Sequence, residues 1–260
     1  MGHMHHFSAG WISPVLAYAM ACVGSALGLR CTVRALTAEG RSRRNWLLTA
    51  SVAIGSGIWT MHFIAMLGFG VTGSPIRYDV PLTLVSLLVA VLVVGAGVFT
   101  VGYSPARLRS LLLGGLGTGL GVAAMHYLGM SALRLHGKVD YDPGLVALSV
   151  GIAVAAATAA LWAALRVRGA TGAAIASLVM GLAVSSMHYT GMAAVRLELT
   201  PSRAPLPGAT AMEFIFPLAV ALGSFLFLTV AFVALSPTAR ERAESASADS
   251  LREAELPTSA

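Results

Sequence analysis

The chain has 260 residues, of which 57% are hydrophobic and 11% are charged, and its mean hydropathy is +0.79. Soluble domains carry about 25% charged residues, so this composition excludes an ordinary soluble protein and indicates an integral membrane protein. The net charge of +6 comes from basic residues scattered over short segments, which argues against a nucleic-acid-binding surface.

Seven apolar runs follow one another along the chain. Each is close to the roughly 20 residues that a helix needs to cross about 30 Å of hydrocarbon. We therefore predict an all-α bundle of seven transmembrane helices in the lipid bilayer of the cell membrane. The predicted spans are residues 12–29, 46–71, 80–101, 111–133, 145–165, 173–195 and 214–235.

The basic residues predict the orientation of the bundle. One set of connecting segments, together with the C-terminal tail, holds twelve arginines, and the opposite set holds five basic residues. Positively charged loops stay on the cytoplasmic side, so we expect the N-terminus outside and the C-terminus inside. The expected organisation is an extracytoplasmic segment (1–11), a membrane domain (12–235) and a short, disordered cytoplasmic tail (236–260). A tail of this kind predicts a standalone module without a fused output domain.

One hexapeptide occurs three times, each time inside an apolar run. It reads Met-His-Phe-Ile-Ala-Met at 61–66, Met-His-Tyr-Leu-Gly-Met at 125–130 and Met-His-Tyr-Thr-Gly-Met at 187–192. The copies start 64 and then 62 residues apart, which indicates an internal repeat. A single histidine in a membrane helix is usually a packing residue, but three copies favour a functional site.

The three copies lie at equal depth in their helices. Fifteen residues separate Trp46, Ser110 and Gly172 from the first methionine of the respective copy, which is about 22 Å of helix rise. The three motif helices run in the same direction, which predicts three parallel two-helix repeats around an axis along the membrane normal. We therefore expect the three histidines to meet in the outer third of the membrane. Glycines six residues before each copy would permit close helix packing; they are Gly55, Gly119 and Gly181.

The hexapeptide offers a soft donor set for a metal ion. The histidine and the second methionine are four residues apart, so they share a helix face. Imidazole with thioether suits copper better than magnesium, calcium or manganese. Zinc more often takes cysteine or carboxylate ligands, which these positions lack. The pairs are His62 with Met66, His126 with Met130, and His188 with Met192.

The hexapeptides closely resemble the MHYT domain, a bacterial membrane sensory module whose Met-His-Tyr-Thr sequence occurs at 187–190. The resemblance covers almost the whole chain. It implies a copper site near the outer membrane face, detection of a diatomic gas (O2, CO or NO) or a redox signal, and relay to a signalling partner. It also implies that the first methionines join the histidines as ligands, namely Met61, Met125 and Met187. Phe63 replaces the tyrosine in the first copy, so a required hydroxyl at that position is not expected.

A second candidate metal site lies at the start of the chain, where His3, His5 and His6 cluster with Met4. Two alternatives to a copper sensor stay open at this stage. One is a copper carrier that uses methionines along the helices, and the other is a b-type haem protein with two of the histidines as axial ligands. Because no acid, base and nucleophile constellation occurs in the sequence, we do not expect an enzyme.

The predicted orientation has a direct test. Topology reporters fused at Gly40 and after the C-terminus should report the cytoplasm, because these positions lie on the arginine-rich side. A reporter at Gly137 should report the outside. A C-terminal fusion that reports the outside contradicts the predicted orientation.

Overall fold

The computed structural model describes residues 4–5, 10–104, 108–167, 169–202 and 204–235, and it contains seven long helices in these ranges. All seven are long and apolar enough to cross a membrane, which confirms the predicted seven-helix bundle. The helices are α1 (Ile12–Thr37), α2 (Gly40–Leu67), α3 (Val80–Tyr103), α4 (Leu108–Ser131), α5 (Pro143–Arg166), α6 (Gly169–Ala193) and α7 (Phe216–Leu235). A π-helical turn, Ala211–Ile215, leads into α7.

The first six helices form a closed ring. Each of α1 to α5 packs against the next helix along the chain, and α6 closes the ring by packing against α1. The motif helices α2, α4 and α6 alternate with α1, α3 and α5, which run the opposite way. The seventh helix packs outside this ring, against α1 and α2. The repeat pairs each motif helix with the helix that follows it, which would place α7 beside α6. In the structure α1 packs beside α6 instead, and this was not predicted.

The repeated glycines lie at the closest helix contacts, as the sequence suggested. A Cβ atom added to Gly55 would lie 2.7 Å from the Cα atom of Val91, and one added to Gly119 would overlap the Cα atom of Val154. At Gly181 the added atom would lie 2.5 Å from the Cys22 sulfur on α1. The two valines contribute backbone atoms, which cannot rotate away, so α2–α3 and α4–α5 depend on glycine at these positions.

Helix starts at one end of the bundle are capped by side chains. Asp79 accepts a hydrogen bond from the Leu82 N–H at 3.0 Å at the start of α3, and Asp142 accepts one from the Leu145 N–H at 3.1 Å at the start of α5. Thr210 caps the π-helical turn before α7 in the same way. Side-chain caps of this kind satisfy N–H groups that a helix leaves without partners.

Six short strands link the loops at this same end. They are β1 (Met4–His5), β2 (Gly70–Val71), β3 (Arg77–Tyr78), β4 (Leu133–Arg134), β5 (Gly137–Tyr141) and β6 (Val195–Leu199). The pairs β1–β2, β3–β4 and β5–β6 are antiparallel. These strands were not predicted from the sequence, because most are two residues long, too short for an alternating pattern.

The loops joined by these strands form what we call the loop ring: segments 68–79, 132–142 and 194–210. The first two meet through β3–β4, the second and third through β5–β6, and a bridge between Tyr78 and Ala209 joins the third to the first. Ion pairs reinforce two of these junctions, Arg134–Asp79 at 2.7 Å and Arg196–Asp142 at 2.5 Å. Both pairs are partly exposed, so they orient the loops more than they add stability.

The predicted spans differ from the helices by a few residues at their ends, and the first two differ most. The second span was predicted to reach residue 71, but α2 ends at Leu67, and Gly70 and Val71 pair with β1 instead. The first span was predicted to end at residue 29, whereas α1 continues to Thr37. Backbone hydrogen bonds continue past the apolar run because a helix end can project into water with its arginines solvated.

Replacing Gly119 by alanine should destabilise the bundle. The new methyl group would overlap the backbone of α5, and overpacking of this kind costs about 1–3 kcal/mol. Gly117→Ala is the matched control, because it lies on the same helix and an added Cβ there meets no atom within 4 Å. Thermal unfolding in detergent measures both. Equal melting temperatures for the two variants would contradict the close contact between α4 and α5.

Candidate metal centre

The structure brings the three motif histidines together in the middle of the bundle. The Nδ1 atom of His62 lies 3.0 Å from Nδ1 of His188 and 3.1 Å from Nδ1 of His126. All three side chains are buried, and their ring centroids are 4.9 to 5.2 Å apart with nearly perpendicular planes. We call these three residues the histidine triad. Their convergence confirms the geometric expectation drawn from the equal depth of the motifs.

Small residues at the fifth position of the hexapeptide make room for the triad. A Cβ atom added to Gly129 would lie 2.8 Å from Nε2 of His62, and one added to Gly191 would overlap Nε2 of His126. Each of these imidazoles therefore packs against the glycine of the next repeat. In the first copy the fifth residue is Ala65. The role of this small residue was not predicted from the sequence, because it depends on which helix is the neighbour.

The aromatic residue that follows each histidine packs edge-on against its ring. The centroid distances are 4.6 Å for Phe63, 4.8 Å for Tyr127 and 5.0 Å for Tyr189. The Tyr127 hydroxyl also lies 2.6 Å from the Ser149 hydroxyl on α5. Because Phe63 makes the same ring contact without a hydroxyl, the shared property at this position is the aromatic face.

Hydrogen bonding within the triad cannot satisfy every nitrogen. A neutral imidazole has one N–H donor and one acceptor nitrogen. Nδ1 of His62 faces two other Nδ1 atoms, while Nε2 of His62 and of His126 is buried without a hydrogen-bond partner among the described residues. A buried polar group left in this state costs about 1–3 kcal/mol. The triad therefore contains buried imidazole nitrogens that its own hydrogen bonds leave unsatisfied.

The spacing of the Nδ1 atoms fits a metal ion. With metal–nitrogen bonds of about 2.0–2.1 Å, nitrogens in a trigonal or tetrahedral site lie about 3.3–3.6 Å apart. The observed separations of 3.0 and 3.1 Å need only a few tenths of an ångström of expansion. In the described part of the chain, these histidines form the one cluster of three or more His, Cys, Asp or Glu side chains that could hold a metal.

The six motif methionines are buried in the helix bundle, and their role as ligands stays a prediction. The first residues of the hexapeptides are at most 1% exposed, and the last residues are at most 3% exposed. They are Met61, Met125 and Met187, and Met66, Met130 and Met192, respectively.

The second candidate site at the start of the chain lies largely outside the described residues, because His3 and His6 are not among them. The backbone of His5 pairs with Gly70, which places β1 at the same end of the bundle as the loop ring. That site also stays a prediction.

Comparison with known proteins agrees with the repeat and the triad. Residues 55–115, 119–177 and 181–246 match the model of MHYT, described as a bacterial signalling protein N-terminal repeat. The chain belongs to the MHYT family. Each matched stretch begins at one of the three close-contact glycines, and each contains one histidine of the triad. As an MHYT protein with seven membrane-capable helices, it is a multi-pass protein of the bacterial plasma membrane.

Several curated signalling proteins are similar to the chain. It is 42% identical over 185 residues to the bifunctional diguanylate cyclase/cyclic di-GMP phosphodiesterase MucR of Pseudomonas aeruginosa, a match covering 69% of this chain and 27% of that protein. It is 41% identical over 203 residues to the cyclic di-GMP phosphodiesterase NbdA of the same species, covering 74% and 25%. It is 32% identical over 190 residues to the signalling protein YkoW of Bacillus subtilis, covering 69% and 23%.

The chain thus spans about a quarter of the length of these relatives. The matched region is the MHYT region, which is a sensory module and not a catalytic one. No solved structure matches the chain.

Replacing Gly191 by alanine should disturb the triad. The added methyl group overlaps Nε2 of His126, so the ring must leave its position in the triad, and the protein should lose about 1–3 kcal/mol of stability. Gly151→Ala is the control, because an added Cβ there meets no atom within 4 Å. Imidazole nitrogen NMR signals and thermal unfolding are the measurements. If Gly191→Ala leaves both unchanged, the packing of His126 against α6 is wrong.

Proposed function

We propose that this chain is the sensory part of a membrane signalling protein and that it binds one copper ion at the histidine triad to detect a diatomic gas or a redox change. The observation that carries this proposal is the meeting of three buried Nδ1 atoms at 3.0 and 3.1 Å. The family membership supports the sensory role, and the donor chemistry supports the choice of metal.

The charge of the site favours Cu(I). Imidazole suits copper, zinc, iron and nickel, so the ligands alone do not choose among them. Among the described residues, no carboxylate or thiolate joins the histidine cluster to neutralise a cation. The Born cost of burying an ion rises with the square of its charge, so a monovalent ion is far less costly to bury here than a divalent one. A buried thioether near the triad would favour the same oxidation state.

The triad geometry weighs against the two alternatives left open by the sequence. Two axial ligands of a haem stand on opposite faces of the ring, with the whole macrocycle between them. Nδ1 atoms in contact leave no space for such a ring. A copper carrier would need successive ligand layers, whereas the positions four residues before the triad histidines are Ile58, Val122 and Val184.

Binding of a ligand at the triad would act on three helices at once. Each histidine comes from a different motif helix, so a ligand that expands the Nδ1 spacing shifts α2, α4 and α6 relative to one another. We infer that this shift reaches a signalling partner or a further domain. The names of MucR and NbdA connect two relatives with cyclic di-GMP, so turnover of this nucleotide is the output that we propose.

Copper analysis of purified protein tests the metal assignment. Wild-type protein prepared without chelators should contain about one copper per chain, and the triple variant His62→Ala, His126→Ala, His188→Ala should contain at least tenfold less. His136→Ala is the control, because His136 lies outside the membrane helices, between β4 and β5. Circular dichroism reports whether each variant stays folded, and the single variant His62→Gln serves if the triple variant does not fold. Unchanged copper in a folded triple variant would overturn the assignment.

A further inference from the structure

An apolar cavity of about 60 Å³ lies inside the ring of six helices. All of α1 to α6 contribute side chains to its wall. The volume exceeds the roughly 10–15 Å³ that a single water molecule needs, so the cavity has space for a small molecule. Neither the family match nor the triad accounts for it.

The repeat register places this cavity directly next to the triad. The residues four positions before the three histidines all line it, namely Ile58, Val122 and Val184. The residues eight positions before the histidines line it as well, namely Ile54, Thr118 and Met180. Since these are equivalent positions on three helices, the cavity lies on the pseudo-threefold axis. At 1.5 Å of rise per residue, its layers lie about 6 and 12 Å from the triad, on the side away from the loop ring.

Small side chains of α5 create the space. Ala153, Ala157, Ala160 and Ala164 line the cavity on successive turns of that helix, where larger residues would fill it.

Three hydroxyl groups lie in the wall, and two of them donate to helix carbonyls. The third belongs to Ser25, and one hydroxyl alone is fewer than the partners that a buried water needs. The Thr32 hydroxyl donates to the Gly28 carbonyl at 2.8 Å, and the Thr118 hydroxyl donates to the Val93 carbonyl at 3.4 Å. A buried water needs two to four polar partners, and apolar cavities without them stay dry. The chemistry of the wall therefore selects small apolar molecules over water and ions.

We propose that this cavity is a binding site that holds a small apolar molecule, of the size of a diatomic gas, next to the triad. Such molecules dissolve in the hydrocarbon that surrounds the bundle, so they can reach the cavity without passing the polar loop ring. Occupancy of the cavity stands independently of the metal. The role of the cavity in supplying a gas to the triad rests on the proposed function.

Xenon is the probe for occupancy, because it is apolar and scatters X-rays anomalously. Crystals of the metal-free protein under xenon pressure should show an anomalous peak between the layers of Val122 and Thr118. Ala157→Val should reduce its occupancy, and Ala157→Phe should reduce it at least tenfold, because both side chains grow into the cavity. Ala159→Phe is the matched control, since Ala159 lies on the same helix with an exposed side chain. Absence of the wild-type peak, or equal peaks in wild type and Ala157→Phe, would overturn the site.

The delivery role has a separate readout. In Cu(I)-loaded protein, CO association after flash photolysis should slow at least threefold in Ala157→Val at unchanged copper content, while Ala159→Phe behaves as wild type. An unchanged rate overturns delivery and leaves the xenon result standing. A protein that binds xenon but no copper refutes the proposed metal function and retains the cavity site, so the two failures are distinguishable.

Discussion

The burial of three imidazoles inside a lipid-embedded bundle is the constraint on which the rest of the structure depends. A polar ring in hydrocarbon must find a polar partner, and in this bundle the nearest partners are the other two rings. That requirement fixes the depth of α2, α4 and α6 to within a fraction of a turn. It also explains why small residues stand three positions after the histidines, where the ring of the neighbouring repeat needs space. Depth, helix order and local side-chain size are consequences of one contact.

Much of this architecture is readable from the sequence because it is periodic. Apolar runs of membrane length predict the seven helices, and equal spacing within the repeats predicts that the histidines meet. The position of α1 was not predictable, since α1 carries no copy of the motif and its partner is decided by packing against Gly181 on α6. The loop ring was also missed, because pairing of two-residue strands depends on chain segments far apart in sequence. The role of Gly129 needed the helix order before it could be recognised.

The polarity of the bundle decreases in steps along its axis. The loop ring is hydrogen-bonded and charged, the triad consists of three polar imidazoles, and the layers beyond it are mostly apolar. An ion coming from the loop end meets donors before it meets hydrocarbon, while an apolar solute meets the cavity first from the other direction. Two ligands of opposite chemistry can therefore approach the same three rings from opposite sides without competing for one path.

The seventh helix makes the number of membrane crossings odd. Six helices already complete the ring, and a chain that stopped there would have both ends on one face of the membrane. By crossing once more outside the ring, α7 carries the chain to the face opposite its first residues, about 30 Å from the loop ring by helix length. Its last turn is fastened to α1, where Arg34 donates to the Val233 carbonyl at 2.9 Å and lies over the Trp46 ring of α2. A single arginine thus ties the last turn of α7 to the first turns of α2, the helix that carries His62.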